Sequence, residues 1–327
     1  MRYCDNDYFH KWSDIAVHYL SNNYDLCYLR AMHEKNKVEG ADTIIVGSSH
    51  AMNGINELDL KAAGKTIQFS ISSQDLFFDF MHIKKAFTEG KYIPKRCLIN
   101  LGYYIMYQDL SKSEQMKKLI PRVYLNLFGE NGRHNYLDAT LVDPLSVIEY
   151  DEDMFPPSMV KQWCEFWSSK AILENGTYYN RIINRKNNNI LGLKRIDWNS
   201  LSATEKASVA KNRTENGHNK HVKHEETHIE NIAIVKDMVE FLHDHGVTPL
   251  FFITPYTSYY NEYIYKGYRE DIFKTLDSLD LPVELFDMND YQDVFFDEDF
   301  LDSDHLNDTG SKKATEMLNS YLELLNQ

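Results

Sequence analysis

The sequence predicts an α/β protein built on a doubly wound parallel sheet, and three observations lead there. Short apolar, often β-branched runs without polar alternation recur along the chain, as expected of strands buried on both faces. Helical patterns lie between or after most of these runs, which implies right-handed crossovers and helices on both faces of the sheet. The alternation holds at both ends of the chain but not in its middle, which predicts an insertion.

At about 150 residues per domain, the 327 residues make one large or two ordinary domains. Hydrophobic residues at 43% and charged residues at 26% exclude collagen-like, low-complexity and wholly disordered chains. The net charge of −14 argues against a nucleic-acid backbone or an anionic bilayer as main partner. No apolar run approaches the roughly 18 residues of a membrane span, and the start of the sequence lacks the pattern of a signal peptide. The expectation is therefore a soluble, cytoplasmic protein without a membrane span. Cys4, Cys27, Cys97 and Cys164 form no Cys-x-x-Cys pair and no framework spacing, so they read as reduced thiols that mostly pack.

Two amphipathic segments, 7–20 and 24–33, are separated by Ser21-Asn22-Asn23, a turn and cap, and predict an N-terminal helical pair within residues 1–40. The run 41–47 is the first core strand. Further strands are expected at 66–70, 97–101, 247–253 and 283–286, and a last helix at 311–325 with Ala314, Met317, Leu318, Tyr321 and Leu324 on one face. Residues 41–105 and 229–327 thus form the α/β core. Between them, 106–228 shows no clean strand but Pro156-Pro157, Asn187-Asn188-Asn189 and the aromatics Trp163, Phe166, Trp167, Tyr178 and Tyr179, and predicts an inserted helical lid or subdomain.

In an open parallel sheet the binding crevice lies beyond the carboxyl ends of the strands. Ser48, Ser49 and His50 follow the first strand there. A serine at a strand-to-helix turn can expose its hydroxyl beside backbone N–H groups, which suits a nucleophile facing an oxyanion site; the plain alternative is an N-cap. Asp302-Ser303-Asp304-His305 lies between the last strand and the last helix. A carboxylate three residues before a histidine can orient it as a general base, and Asp304 is expected to face elsewhere; the alternative is an acidic turn.

The joint placement of Gly47-Ser48-Ser49 after the first core strand and Asp302-x-x-His305 before the final helix resembles the SGNH, or GDSL-like, hydrolase and acyltransferase superfamily. The resemblance covers 43–74, 98–104 and 247–318. It implies a three-layer flavodoxin-like core, Ser49 as nucleophile, His305 as general base and Asp302 as its orienter. Gly47-Ser48-Ser49-His50 is more similar to the divergent branch that includes the D-alanyl-lipoteichoic acid transfer proteins and polysaccharide O-acyltransferases than to Gly-Asp-Ser lipases. In Ser70-Ile71-Ser72-Ser73-Gln74, Ser73 stands where the superfamily supplies a second oxyanion donor. The third block, Asn100-Leu101-Gly102-Tyr103-Tyr104, keeps Gly102 but not the family's asparagine donor, so either Tyr104, Gln74 or a backbone group replaces it or the activity is weak. Tyr256, after the strand that ends at Ile253, reads as a wall of the cleft or as part of a proline turn.

His224-Glu225-Glu226-Thr227-His228 matches His-Glu-x-x-His, but the surrounding 216–230 segment is polar and no third ligand motif follows, so no metal is expected. No phosphate-binding glycine loop is present, and no cofactor is indicated. The leading expectation is a serine-dependent acyl-ester hydrolase or O-acyltransferase, working through an acyl-Ser49 intermediate on an acylated carbohydrate. The alternative is a non-catalytic binding protein of the same fold. The oligomeric state is not legible.

Overall fold

The computed structural model describes residues 6–190 and 197–326; Cys4 and the side chains of Tyr178, Tyr179 and the 187–189 asparagines lie outside what it describes. Along the chain run α1 (Asn6–Asn22), α2 (Tyr24–Glu39), β1 (Thr43–Gly47), α3 (Ser49–Gly54), β2 (Thr66–Ser70), α4 (Leu76–Glu89) and β3 (Arg96–Asn100). Then follow α5 (Leu125–Phe128), α6 (Pro157–Ile190), α7 (Ala203–Arg213), α8 (Glu225–Asp244), β4 (Leu250–Ile253), α9 (Ser258–Tyr263), α10 (Gly267–Asp277), β5 (Glu284–Asp287) and α11 (Asp308–Leu325).

The five strands form one all-parallel sheet in the order β2-β1-β3-β4-β5. This is the doubly wound order in which winding reverses between β1 and β3, so the chain ends after these strands diverge and leave a crevice. The strands are short and almost wholly buried, which explains why they read as unbroken apolar runs. Side chains alternate across the sheet. Ile45, Leu98, Leu250, Phe252 and Phe286 pack with Ala51 of α3, Ile55 just beyond it, and Ala314, Leu318 and Leu322 of α11. Elsewhere Phe80 and Phe87 of α4 meet Phe241 of α8 edge to face. These packings are compatible with three layers.

The chain divides into two compact units, 36–110 with 181–327, and 1–35 with 111–180. The expected single insertion at 106–228 is therefore split: 181–228, which includes α7, clusters with the sheet, and 111–180 clusters with the N-terminal helices. The physical reason is visible in the second of these units. Phe155 packs against Tyr8 and Trp12, Asn23 donates to the Pro144 carbonyl at 2.9 Å, and Arg30 pairs with Glu165 at 3.1 Å. Trp163 and Phe166 on α6 are exposed. Cys27, Cys97 and Cys164 are free and buried, and burial pushes the Cys27 thiol up to about 12, so they pack as neutral groups. Among the described residues, no helix is long and apolar enough to cross a membrane.

Candidate active site

The turn after β1 is shaped by close approach. Gly47 has φ +144°, and a Cβ there would stand 2.6 Å from Asn100 Cβ and 3.1 Å from Ala51 Cβ. Only glycine lets β1 run this close to β3 and then enter α3. Ser48 occupies the N-cap position but makes no side-chain capping bond; its hydroxyl faces His50 Nδ1 at 3.3 Å. Ser49, the first helical residue, is half-buried, and its carbonyl accepts a hydrogen bond from Asn53 at 2.8 Å.

The second half of the site is a loop pinned at both ends. Phe300 and Leu306 are buried and form an antiparallel bridge, and Leu301 N–H donates to the His305 carbonyl at 2.8 Å. Asn307 caps α11 by accepting from Thr309 and Gly310. Thr257, past the end of β4, donates its hydroxyl to the Ser303 carbonyl at 2.8 Å. Inside the loop, Asp302 Oδ1 accepts the backbone N–H of Asp304 at 3.0 Å and of His305 at 2.9 Å, an Asx turn that fixes the histidine backbone.

This folding brings together three residues chosen from the sequence. Ser49 Oγ lies 2.8 Å from His305 Nε2, across 256 positions of chain. His305 Nδ1 lies 3.0 and 3.1 Å from the two oxygens of Asp302. With the Nδ1 proton donated to Asp302, Nε2 is the ring nitrogen able to accept from the serine hydroxyl. Burial disfavours the imidazolium, but the carboxylates of Asp302 and Asp304 outweigh it and raise the His305 pKa above the ordinary 6.5.

Asp304 does not face elsewhere. The Asx turn swings it inward, where it is buried, and Arg213 from α7 holds it in a fork: Nε stands 3.1 and 3.2 Å from Oδ1 and Oδ2, and Nη2 3.0 Å from Oδ2. Desolvation alone would raise this carboxyl, yet Arg213 and the neighbouring histidines hold it well below the usual carboxylate range. His50 is the partner that sequence reasoning left without a role. Its buried ring stacks on His305 with centroids 4.7 Å apart and planes 8° from parallel. Its Nε2 stands 3.4 Å from Asp304 Oδ2, an electrostatic contact rather than an aligned hydrogen bond, and burial lowers its pKa. His50, Asp304 and His305 each offer one atom close enough to the others to hold a cation. The Arg213 fork on Asp304 supplies positive charge there instead, and the His305 Nδ1 proton is directed to Asp302.

The remaining predicted residues divide. Ser73 is half-buried with φ +64°, a left-handed backbone that places a non-glycine residue where a turn needs αL. It lies three residues beyond Ser70, the partner of Gly47 in the parallel register. Gln74 is not a crevice donor: its Nε2 donates both hydrogens inward, to the Phe69 carbonyl and to Asp79 Oδ1, each at 2.7 Å. The buried Asp79 needs that donor, and the amide serves it. Gly102 lies against the site, with its Cβ direction 3.6 Å from His50 Nδ1 and 3.7 Å from Tyr256 Oη.

Tyr104 and Tyr256 form a buried layer behind the imidazoles rather than an open wall. Tyr256 is 3% exposed, accepts the Tyr103 N–H at 3.3 Å and meets His50 edge to face. Tyr104 stacks on His218 at 3.8 Å and lies 5.7 Å from His221. The His-Glu-x-x-His pair is drawn into separate contacts: His224 stands at the N-cap position of α8 with its ring edge-on to His221, and His228 stacks on Tyr107 at 4.2 Å.

Arg213 carried no motif and stands 91 positions before its partner. The one local signal was the helix start: Ser202 and Glu205 form a capping box, Ser202 N–H donating to the Glu205 carboxylate at 2.9 Å, and α7 runs from there to Arg213. A π-helical turn at Thr214–His218 follows and delivers His218 to Tyr104. No protein-family model matches this sequence, and no curated protein is similar enough to count as a relative.

Proposed function

We propose that the chain is a serine-dependent acyl-ester hydrolase or O-acyltransferase of SGNH type that works through an acyl-Ser49 intermediate. One observation carries the reading: Ser49 Oγ and His305 Nε2 stand 2.8 Å apart while Asp302 holds the opposite ring nitrogen. As the Ser49 oxygen bonds to the acyl carbon, its proton passes to His305 Nε2, and Asp302 stabilises the imidazolium without taking the proton. His305 then returns that proton to the departing alkoxide. A second hydroxyl, from water or from a sugar, gives its proton to His305 as it attacks the acyl carbon, and Ser49 leaves with that proton returned to its oxygen by His305.

The developing oxyanion requires nearby donors, because a chain of net charge −14 gives it little long-range help. The N–H of the first residue of a helix has no partner within the helix, so Ser49 supplies one donor. The backbone N–H of Ser73 is the second, supported by its left-handed conformation next to the β1 turn. The resemblance of Gly47-Ser48-Ser49-His50 to the envelope-polysaccharide branch makes an acylated glycan the substrate class.

A fluorophosphonate probe tests this directly. Wild-type protein should be labelled on Ser49, and Ser49→Ala and His305→Ala should lose that label; a folded wild-type protein that remains unlabelled would sink the enzyme reading. Short acyl p-nitrophenyl esters, with and without a sugar acceptor, then separate hydrolysis from transfer. A second reading, a binding protein of the same fold, is favoured by one observation: the Gln74 amide is turned inward, away from the donor role, toward the Phe69 carbonyl and Asp79. It predicts no label under any condition.

A further inference from the structure

We infer that Asp304 and Arg213 are positioning residues for His305, forming an ion pair with a buried carboxylate that balances the imidazolium and a partly exposed guanidinium that keeps that carboxylate from becoming the proton acceptor. The inference rests on the reading of His305 as the base and extends it to residues that no motif contains.

The geometry is that of a built layer. The fork from Arg213 fixes the plane of the Asp304 carboxylate, and the Ser303 hydroxyl donates to Oδ1 at 3.1 Å. Asp304 Oδ2 then stands 3.8 Å from His305 Nδ1 and 3.4 Å from His50 Nε2. His50 and His305 lie face to face above it, and two stacked imidazoles cannot both be charged at low cost. His50 is the more buried ring and is held neutral, so the proton taken from Ser49 stays on His305.

The groups facing His305 come from three elements: Ser49 and His50 on α3, Asp302 and Asp304 on its own loop, and Arg213 on α7. His218, Tyr104, Tyr256 and Tyr260 surround the ion pair; Tyr260 donates to or accepts from His218 Nδ1 at 2.5 Å. Without Arg213, Asp304 would be a lone buried carboxylate beside a base and would compete for its proton. Asp302 is different, since its side chain is 44% exposed and water screens it. The two carboxylates therefore divide the work: Asp302 fixes the tautomer by hydrogen bonding, and Asp304 supplies charge from a buried position, held in place by Arg213.

The test is an NMR titration of the His305 ring in histidine-labelled protein, read beside the pH dependence of fluorophosphonate labelling. Asp304→Asn removes a negative charge near the ring and should lower the His305 titration by about one pH unit or more. Arg213→Gln removes a positive charge from the same cluster and should shift it upward, while Arg213→Lys should return it toward wild type. If either single variant fails to fold, the Asp304→Asn/Arg213→Gln double variant leaves an uncharged pair and should titrate between the two. Loss of labelling in both variants with the His305 titration moved by less than about 0.3 unit in each would assign the pair a merely structural role and overturn the inference. The titration reads the charge effect even in a protein that is never labelled, so failure of the enzyme reading and failure of this inference remain distinguishable.

Discussion

Replacing Gly47 by alanine probes the turn that presents Ser49, and its cost can be built from two sources. The first is conformational: at φ +144° an L side chain is strained, at roughly 1–3 kcal/mol. The second is steric. The added methyl would lie 2.6 Å from Asn100 Cβ and 3.1 Å from Ala51 Cβ, and both neighbours sit on buried elements that cannot swing away. Overpacking of that kind costs about 1–3 kcal/mol. The two together give a loss of about 2–6 kcal/mol, a large part of the stability of an ordinary domain. Urea unfolding measures it, and the background separates the two sources. Asn100→Ala and Asn100→Gly both lose the Asn100 amide bond to the Phe252 carbonyl, but only Asn100→Gly also removes the Cβ that clashes. Gly47→Ala should keep its full cost in the alanine background and lose about 1–3 kcal/mol of it in the glycine background. A Gly47→Ala protein within about 0.5 kcal/mol of wild type, or equal costs in the two backgrounds, would refute the close-approach explanation of this glycine.

Other outcomes follow from the same contacts. Asp302→Asn removes both the charge and the hydrogen bond that raise His305, so the labelling rate should fall by on the order of 10³–10⁴-fold and its inflection should move down toward 6.5; an unchanged profile would dismiss Asp302 as orienter. The buried Asp79 carboxyl is held well above its ordinary range by desolvation, so its contribution to stability is complete below about pH 4 and fades as pH rises toward the folded-state value. Asp79→Asn should therefore gain on wild type by up to about 1.4 kcal/mol per pH unit across that window, and parallel stability curves for the two proteins would disprove the burial argument. Asn307→Ala deletes the α11 cap beside the His305 loop and should cost about 1 kcal/mol in thermal or urea unfolding. Labelling of Ser49 should survive a strong chelator, because His224 and His228 are engaged in separate ring contacts; chelator-sensitive labelling would show a metal requirement.

The sequence by itself determined the sheet and the places where chemistry could sit. Strands buried on both faces leave unbroken apolar runs, and all five were legible to within a few residues because burial, not partner identity, dictates that pattern. Ser49, Asp302 and His305 were legible for a related reason: each follows a strand or precedes a helix, and in a parallel sheet those positions share one edge. What only the tertiary structure decided is whatever depends on a partner from an unrelated part of the chain. Arg213 on Asp304, the stacking of His50 on His305 and the inward turn of Gln74 toward Asp79 all involve side chains whose local sequence gives no direction. A lone arginine in a polar helix reads as solvated surface, and Asp304 reads as one more acid in an acidic loop, until the fold buries Asp304 against that arginine. The division of the middle segment has the same origin. Helical periodicity marks which face of a helix is apolar but not which of several apolar surfaces will cover it, and that choice is made by packing across distant stretches of sequence.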